Sequence, residues 1–173
     1  VGEVGYIQHI ITDGGLVEAT VTDVRYTKEI KVFVKDIVES NEKAVQRSSL
    51  AGYDLYDLVQ IGVGGKRGVI VRCGRESFLV IGTDGGVSTV TPSELSRKMN
   101  NISKRGQVID KQGQYLSSGD FALITEGKSK GKMGKIMHIS NAFVFLHSRG
   151  VLENAGILVA KSNILQLAGY KSQ

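Results

Sequence analysis

Residues 118–139 read SGDFALITEGKSKGKMGKIMHI, and the fold follows from how that stretch is parsed. Two short runs with apolar residues, Phe121-Ala122-Leu123-Ile124 and Ile136-Met137-His138-Ile139, flank a segment with glycines at 127, 131 and 134 and lysines at 128, 130, 132 and 135. Short apolar runs joined by a Gly-containing loop longer than two residues predict a wide β-hairpin. Glycine tolerates positive φ and lets such a loop curl tightly. The ammonium groups on it face either water or an anion. One lysine there reads as surface solvation. Four within eight residues, with Glu126 the one nearby acid, point to a polyanion.

The Gly134-Lys135-Ile136-Met137-His138-Ile139 end of this stretch has relatives upstream. Gly5-Tyr6-Ile7-Gln8-His9-Ile10 keeps isoleucine two and five places after the glycine, and Gly68-Val69-Ile70-Val71-Arg72 keeps the first of the two. The three glycines lie 63 and 66 residues apart. Each is followed by a second strand-like run (Leu16–Val21, Phe78–Ile81, Ala142–Leu146) and a third (Glu29–Val34, Val87–Val90, Gly156–Ala160). Each unit then closes on a short turn or final strand: Lys35-Asp36-Ile37, Thr91-Pro92-Ser93-Glu94 and Ser162-Asn163-Ile164. In the middle closure Thr91 is placed to cap a helical turn, Pro92 occupies its first position and Glu94 completes a capping box.

Units of about 60 residues with five short strands have the size of SH3-like barrels. The expected fold is therefore all-β, with tandem SH3-like barrels joined by short linkers. The expected domains are 1–47, 48–98 and 99–173. Strands at 53–61 and 119–125 open the second and third units, and a hairpin of Gln107–Asp110 with Tyr115–Leu116 leads into the third. Only four residues precede Gly5, so the first barrel lacks its opening strand and the chain reads as a piece of something longer. Asn41–Gly52 and Leu95–Gly106 read as linkers.

Composition agrees with this parsing. The 173 residues hold 22 glycines and one proline and are 41% hydrophobic and 23% charged, which is ordinary globular material. No sustained helical periodicity with caps is present over 12 or more residues. No apolar run approaches the roughly 18–20 residues of a membrane span, and no leader pattern opens the sequence. The lone Cys73 rules out an internal disulfide framework and reads as a small strand residue. Charge is unevenly spread. Residues 1–47 carry a net −2, 48–95 a net −1, 96–117 a net +4 and 118–173 a net +4. The positive excess of the last linker and last unit makes that half the candidate for a phosphate backbone.

Catalytic readings fail on spacing. A phosphate-binding P-loop has four residues between its glycines and a hydroxyl residue after Gly-Lys. Gly127 to Gly131 has three between, and Met133 follows Lys132. Gly62-Val63-Gly64-Gly65-Lys66-Arg67 fails likewise. His9, His138 and His147 have no cysteine or carboxylate at metal-ligand spacing, so no metal and no cofactor are expected; His9 and His138 occupy equivalent strand positions. No nucleophile elbow or Cys–His pairing is present. Asp54 and Asp57 read as solvation at a strand edge, and the alternating Phe143 and Phe145 as core. The five Phe and six Tyr form no local cluster suited to caging a methylated cation.

The pattern Gly119-Asp120, Gly127, Gly131-x-x-Gly134-x-Ile136-x-x-Ile139 resembles the KOW motif of ribosomal proteins and NusG-type transcription elongation factors. Phe143–Arg149, Glu153–Val159 and Leu165–Gly169 look like the fourth KOW domain of the large-subunit family of the eukaryotic elongation factor DSIF. Tyr56–Gln60, Gly68–Arg72 and Arg75–Val80 look like its third, and Lys28–Val32 with Asp36 resembles the end of its second. The resemblance implies a non-catalytic, nuclear protein whose barrels sit on RNA polymerase II, the fourth near the RNA exit channel and the second and third near the stalk, regulating pausing and processivity. It also implies a small DSIF subunit as partner, bound through a domain outside these residues, and no membrane.

On this reading Lys128, Lys130, Lys132, Lys135, Arg149 and Lys161, with Lys104 and Arg105 of the linker, form a positive surface for nascent RNA, mainly through phosphates. Lys66, Arg67, Arg72 and Arg75 are the expected polymerase contacts. The alternative is a protein-contact scaffold that binds no RNA. A ribosomal KOW protein is disfavoured, because three tandem divergent repeats are unexpected there.

Overall fold

The computed structural model describes residues 5–13, 16–23, 29–38, 48–100 and 106–169. In its first unit β1 (Gly5–Asp13), β2 (Leu16–Asp23) and β3 (Glu29–Phe33) pair in that order, and a 3-10 turn at Val34–Asp36 follows. The middle unit begins with a small hairpin of β4 (Ser49–Leu50) and β5 (Tyr53–Asp54). Its five-stranded sheet holds β6 (Leu58–Ile61), β7 (Lys66–Cys73), β8 (Phe78–Gly82), β9 (Val87–Val90) and β10 (Leu95–Lys98), in the order β10-β6-β7-β8-β9. The last unit opens with the hairpin β11 (Gln107–Ile109) and β12 (Tyr115–Ser117). Its sheet runs β16 (Ile157–Lys161), β15 (Phe143–His147), β14 (Met133–Ser140), β13 (Phe121–Ile124), β17 (Leu165–Leu167). Both five-stranded sheets thus share one antiparallel topology, with the final strand returning to pair with the first. The expected all-β architecture of repeated units is what the chain adopts.

The internal repeat has a mechanical meaning. The ladder slips between Ile7 and His9, between Ile70 and Arg72, and between Ile136 and His138. Each β-bulge falls at the same offset from the repeat's glycine, and bulges bend a strand and sharpen its twist. Two of the three repeat glycines, Gly68 and Gly134, sit where another chain segment crosses closely. A Cβ on Gly68 would lie 2.6 Å from the Ile81 carbonyl oxygen, and one on Gly134 would lie 2.8 Å from that of His147. Only glycine fits there.

Two expectations are corrected. The strand predicted over 53–61 is broken, because Tyr56 adopts a φ of +69° and its N–H donates to the Ile70 carbonyl at 2.8 Å. The stretch from Leu95 is no linker at its start: Leu95–Lys98 pairs with β6, and Met99, 2% exposed, is buried beyond it. The end of the other proposed linker, Asn41–Gly52, is likewise structured, since Ser49–Leu50 pairs with Tyr53–Asp54; positions 41–47 and 101–105 of the two linkers lie outside the described residues.

Three apolar clusters hold the two larger units. Val59, Ile70, Cys73, Phe78, Val80, Val90 and Leu95 form the core of the middle unit. Leu116, Ala122, Ile124, Ile136, Val144, Leu146 and Leu165 are among the core of the last. The third cluster joins them: Leu58, Val69, Val71, Ile81 and Met99 pack against Phe145 and Ile157, with Tyr56, Met137 and Val159 at the margin. Residues alternate between an internal core and this shared seam, Leu58 against Val59 and Phe145 against Val144. Strands buried on both faces lose the polar alternation of a half-solvated sheet, hence the unbroken Val69-Ile70-Val71 and Val144-Phe145-Leu146. Each of these large side chains contributes about 1.5–3 kcal/mol when fully buried.

Polar groups fix the angle of the seam. The Tyr56 hydroxyl donates to the Ala155 carbonyl at 2.9 Å. Nε2 of His138, buried at the bulge of β14, lies 2.7 Å from the Tyr56 carbonyl. Arg67 donates from Nη1 to the Ser140 hydroxyl at 3.2 Å. The Tyr56 and His147 rings meet edge to face with centroids 5.4 Å apart, a favoured aromatic geometry.

Candidate nucleic-acid interface

The lysine-bearing loop joins β13 to β14 as the wide hairpin its sequence predicts. Gly127 and Gly131 take φ of +82° and +84°, so the loop turns back twice within eight residues. Its backbone is tied internally: the Ile124 N–H donates to the Lys132 carbonyl at 2.9 Å and the Gly131 N–H to the Ile124 carbonyl at 2.8 Å. The Thr125 N–H and hydroxyl both donate to the Ile164 carbonyl at 2.9 Å, pinning the loop base to the turn before β17. A tip so bonded is a fixed platform for its side chains.

Lys128, Lys130, Lys132 and Lys135 are all exposed. Among the described residues, none of them forms an ion pair. Glu126, the one acid of the loop, is paired instead with Lys111 from the β11–β12 hairpin. The hydrogen bond and charge of Lys111, with a smaller contribution from Lys130, hold the Glu126 carboxyl below its ordinary range. The acid is thereby occupied by a cation from outside the loop.

Two clefts flank this hairpin. One, of about 510 Å³, includes Lys128 and Lys132 but also Asp84, Glu126 and Glu153. The other, of about 520 Å³, is lined by Phe121, Met133, Lys135, His147, Ser148, Arg149 and Gly150; its only formal charges are positive. The loop lysines therefore stand in two electrostatic settings, one mixed and one cationic.

The remaining predicted residues divide. Arg149 is exposed and lines the cationic cleft with Lys135. Lys161 is exposed and sits opposite Phe143, its Nζ 5.7 Å from that ring. Its neighbour Ala160 lines the mixed cleft with Lys128 and Lys132. Lys104 and Arg105 lie outside the described residues.

The four expected polymerase contacts do not form one patch. Lys66 and Arg75 are exposed at opposite ends of β7. Arg67 is half-buried and bonded across the seam to Ser140. Arg72 is a correction: at 5% exposure it occupies the bulge position equivalent to His138 and is engaged within the protein, so it offers no guanidinium to an outside surface.

Asp57 is also reassigned. It is 4% exposed, accepts Asn100 Nδ2–H at 2.6 Å and the Asp54 N–H at 2.8 Å, and pairs with Lys98 at 2.6 Å. It clamps the end of the unit and is not edge solvation. Hydrogen bonds from Lys98 to Asp57 and Asp54 raise the Lys98 ammonium above its ordinary value. Phe145, expected in the core, is fully buried in the seam. The sequence reading missed Phe121 and Met133, which are 50% and 52% exposed. Their signal was present: both are apolar residues whose alternation places them on the face opposite Ala122 and Ile124. Among the described residues no group of three or more His, Cys, Asp or Glu gathers as a metal site, and no helix is long and apolar enough to cross a membrane.

Comparison with known proteins converges on one family. Residues 108–162 match the family described as transcription elongation factor SPT5, fourth KOW domain. Residues 49–98 match transcription elongation factor SPT5, KOWx domain; the unit that resembled a third KOW domain is thus the one designated KOWx. The transcription elongation factor spt5 of Schizosaccharomyces pombe is 36% identical over 141 residues, 81% of this chain and 13% of the relative. The SPT5 of Gibberella zeae is 32% identical over 169 residues, 98% of this chain and 15% of the relative. That of Drosophila melanogaster is 32% identical over 141 residues, 82% and 13% respectively. The chain thus spans a small share of each relative's length.

Proposed function

This chain belongs to the SPT5 family of transcription elongation factors, and from that premise we propose that it docks on RNA polymerase II in the nucleus and guides nascent RNA across the lysine-bearing hairpin of its last unit. Residues 1–47, 48–98 and 99–173 act as three successive modules in this reading. The last lies near the RNA exit channel and the earlier ones near the stalk, and together they influence pausing and processivity. The small DSIF subunit is engaged by parts of the protein beyond these residues. The role is passive and non-catalytic.

One observation carries the reading: the four loop lysines are exposed and without ion pairs among the described residues, while the loop's only acid is occupied by Lys111. Ammonium groups held on a tied loop bind phosphates without reading bases, and release of counterions drives the association. Docking of several modules on one polymerase raises the effective concentration of each contact. The packed seam between the middle and last units supports this, because it turns two small modules into one body and removes their mutual freedom as a cost of binding. Lys66 and Arg75 remain as exposed candidates for polymerase contact.

The alternative is that the lysines meet an acidic protein surface. Crosslinking from Lys128, Lys130, Lys132 and Lys135 in a transcribing complex separates the two. Crosslinks to the transcript that vanish on RNA removal, with none gained to protein, are the expected result. Lysine crosslinks to polymerase that persist unchanged without RNA would overturn the RNA reading.

A further inference from the structure

We infer that the cleft beside the hairpin is a stacking site for one base of single-stranded RNA, seated on Phe121 with its flanking phosphates held by Lys135 and Arg149. The inference rests on the RNA reading of the lysine loop and adds to it a contact to a base.

The cleft is the uncovered half of a sheet face whose other half is buried. Phe121 stands directly opposite Lys135, Lys135 opposite His147, and His147 opposite Ile157. Residues opposite one another in an antiparallel ladder share a face, with Cβ atoms about 5 Å apart. Ile157 lies in the seam with the middle unit, and His147 closes its edge against the Tyr56 ring. The row then emerges from cover: Lys135 is exposed, and Phe121 keeps 50% of its surface in water. Met133, 52% exposed, lies next to it. Apolar surface left bare beside two cations, in a concave site of about 520 Å³, suits a ligand that is flat and apolar in one part and anionic in the next.

A nucleotide has that form. Base–aromatic stacking tolerates any base and accompanies a cationic track for the backbone. The track is present, because Lys132 ends the lysine loop just before Met133 and Lys135 follows Met133 on β14. A strand of RNA lying on the loop is thereby led to Phe121. The neighbouring groove sets Lys128 and Lys132 beside Asp84, Glu126 and Glu153, so of the two clefts only the one at Phe121 carries no acid among its lining. An acidic peptide is the less suited occupant. β13 is paired with both β17 and β14, and β14 with both β13 and β15, so this face offers no free strand edge for a peptide backbone to join.

The chain contains no tryptophan, so Phe121→Trp installs a single emission reporter at the site. The probes are a ten-nucleotide oligouridylate, an abasic ribose-phosphate strand of equal length and an acidic octapeptide. Expected are saturable quenching of Phe121→Trp by the oligouridylate and none by the abasic strand. Phe121→Ala should weaken oligouridylate binding about tenfold, within the range for one stacked base, and leave abasic-strand binding unchanged. If Lys-to-Gln changes in the loop weaken RNA binding while Phe121→Trp is not quenched and Phe121→Ala has no effect, the stacking site is refuted and the lysine reading survives. If no RNA binds at all, both fall. Quenching by the octapeptide alone would overturn the RNA assignment of the cleft.

Discussion

The hydroxyl of Tyr56 and the carbonyl oxygen of Ala155 lie 2.9 Å apart, joining the middle unit to the last. Both ends of this bond sit on strained backbone: Tyr56 has φ +69°, and Asn154 and Ala155 have φ +51° and +52°. Non-glycine residues hold such angles only where surrounding contacts over-determine them. Burial raises the Tyr56 phenol above its ordinary value, so it remains a donor through the neutral range. Tyr56→Phe leaves the carbonyl without its donor and should cost about 1–3 kcal/mol. Urea denaturation of the 173-residue chain measures this, with the midpoint falling and the slope preserved.

The seam should make the middle and last units unfold together. Phe145→Ala removes a fully buried ring from it and should cost about 3–5 kcal/mol. A single transition should then separate into two, detected as non-coincident curves from far-ultraviolet dichroism and tyrosine emission.

The repeat glycines should tolerate no side chain. Gly68→Ala would put a Cβ 2.6 Å from the Ile81 carbonyl oxygen and 2.5 Å from Val80 Cγ1, and should destabilise by about 1–3 kcal/mol through overpacking. Gly64 has no atom within 4 Å of a built Cβ, so Gly64→Ala is the matched control and should be near neutral. Thermal melts of the pair distinguish the two.

Acid and alkali should act through two buried groups. Burial pushes the Asp110 carboxyl up, but N–H groups of Leu167, Gln114, Gln112 and Gly113 outweigh it and leave it below its ordinary range. Its contribution is complete above the unfolded carboxyl's pKa and is lost as pH falls through the lower folded value. Asp110→Asn should remove that part of the acid sensitivity. Burial, with the Asp54 and Asp57 charges, pushes the Cys73 thiol up to about 11. The unfolded thiol ionises first as pH rises, so stability should decline from the unfolded pKa, about 8.5, towards the folded value. The native thiol should resist iodoacetamide at pH 8 until the chain is unfolded.

The repeat was readable from the sequence because Gly68 and Gly134 are required by sterics, and the hairpin because its loop carries glycines where φ turns positive. The capped turn was readable as well: the Glu94 carboxylate accepts from the Thr91 N–H at 2.7 Å and from its hydroxyl at 2.8 Å. The seam was not read, since Val69–Val71 and Val144–Leu146 look the same whether a strand's second face meets its own unit or a neighbour. Arg72 and Asp57 misled because a charged residue is ordinarily at the surface, while each here is engaged inside. Phe121 was passed over because an apolar residue in a strand run is ordinarily core, and only the three-dimensional row shows its face uncovered.

The salt dependence of RNA binding tests the central claim most directly. For single strands the slope of log Kobs against log salt is about −0.7 per phosphate neutralised, so four loop lysines predict a slope near −3 for the 173-residue chain with oligouridylate. Replacing Lys128, Lys130, Lys132 and Lys135 together by Gln should remove most of that slope, leaving about −0.7 for the one phosphate contact at Arg149. A slope near zero in the unaltered chain, or one left unchanged by the fourfold replacement, would contradict the account.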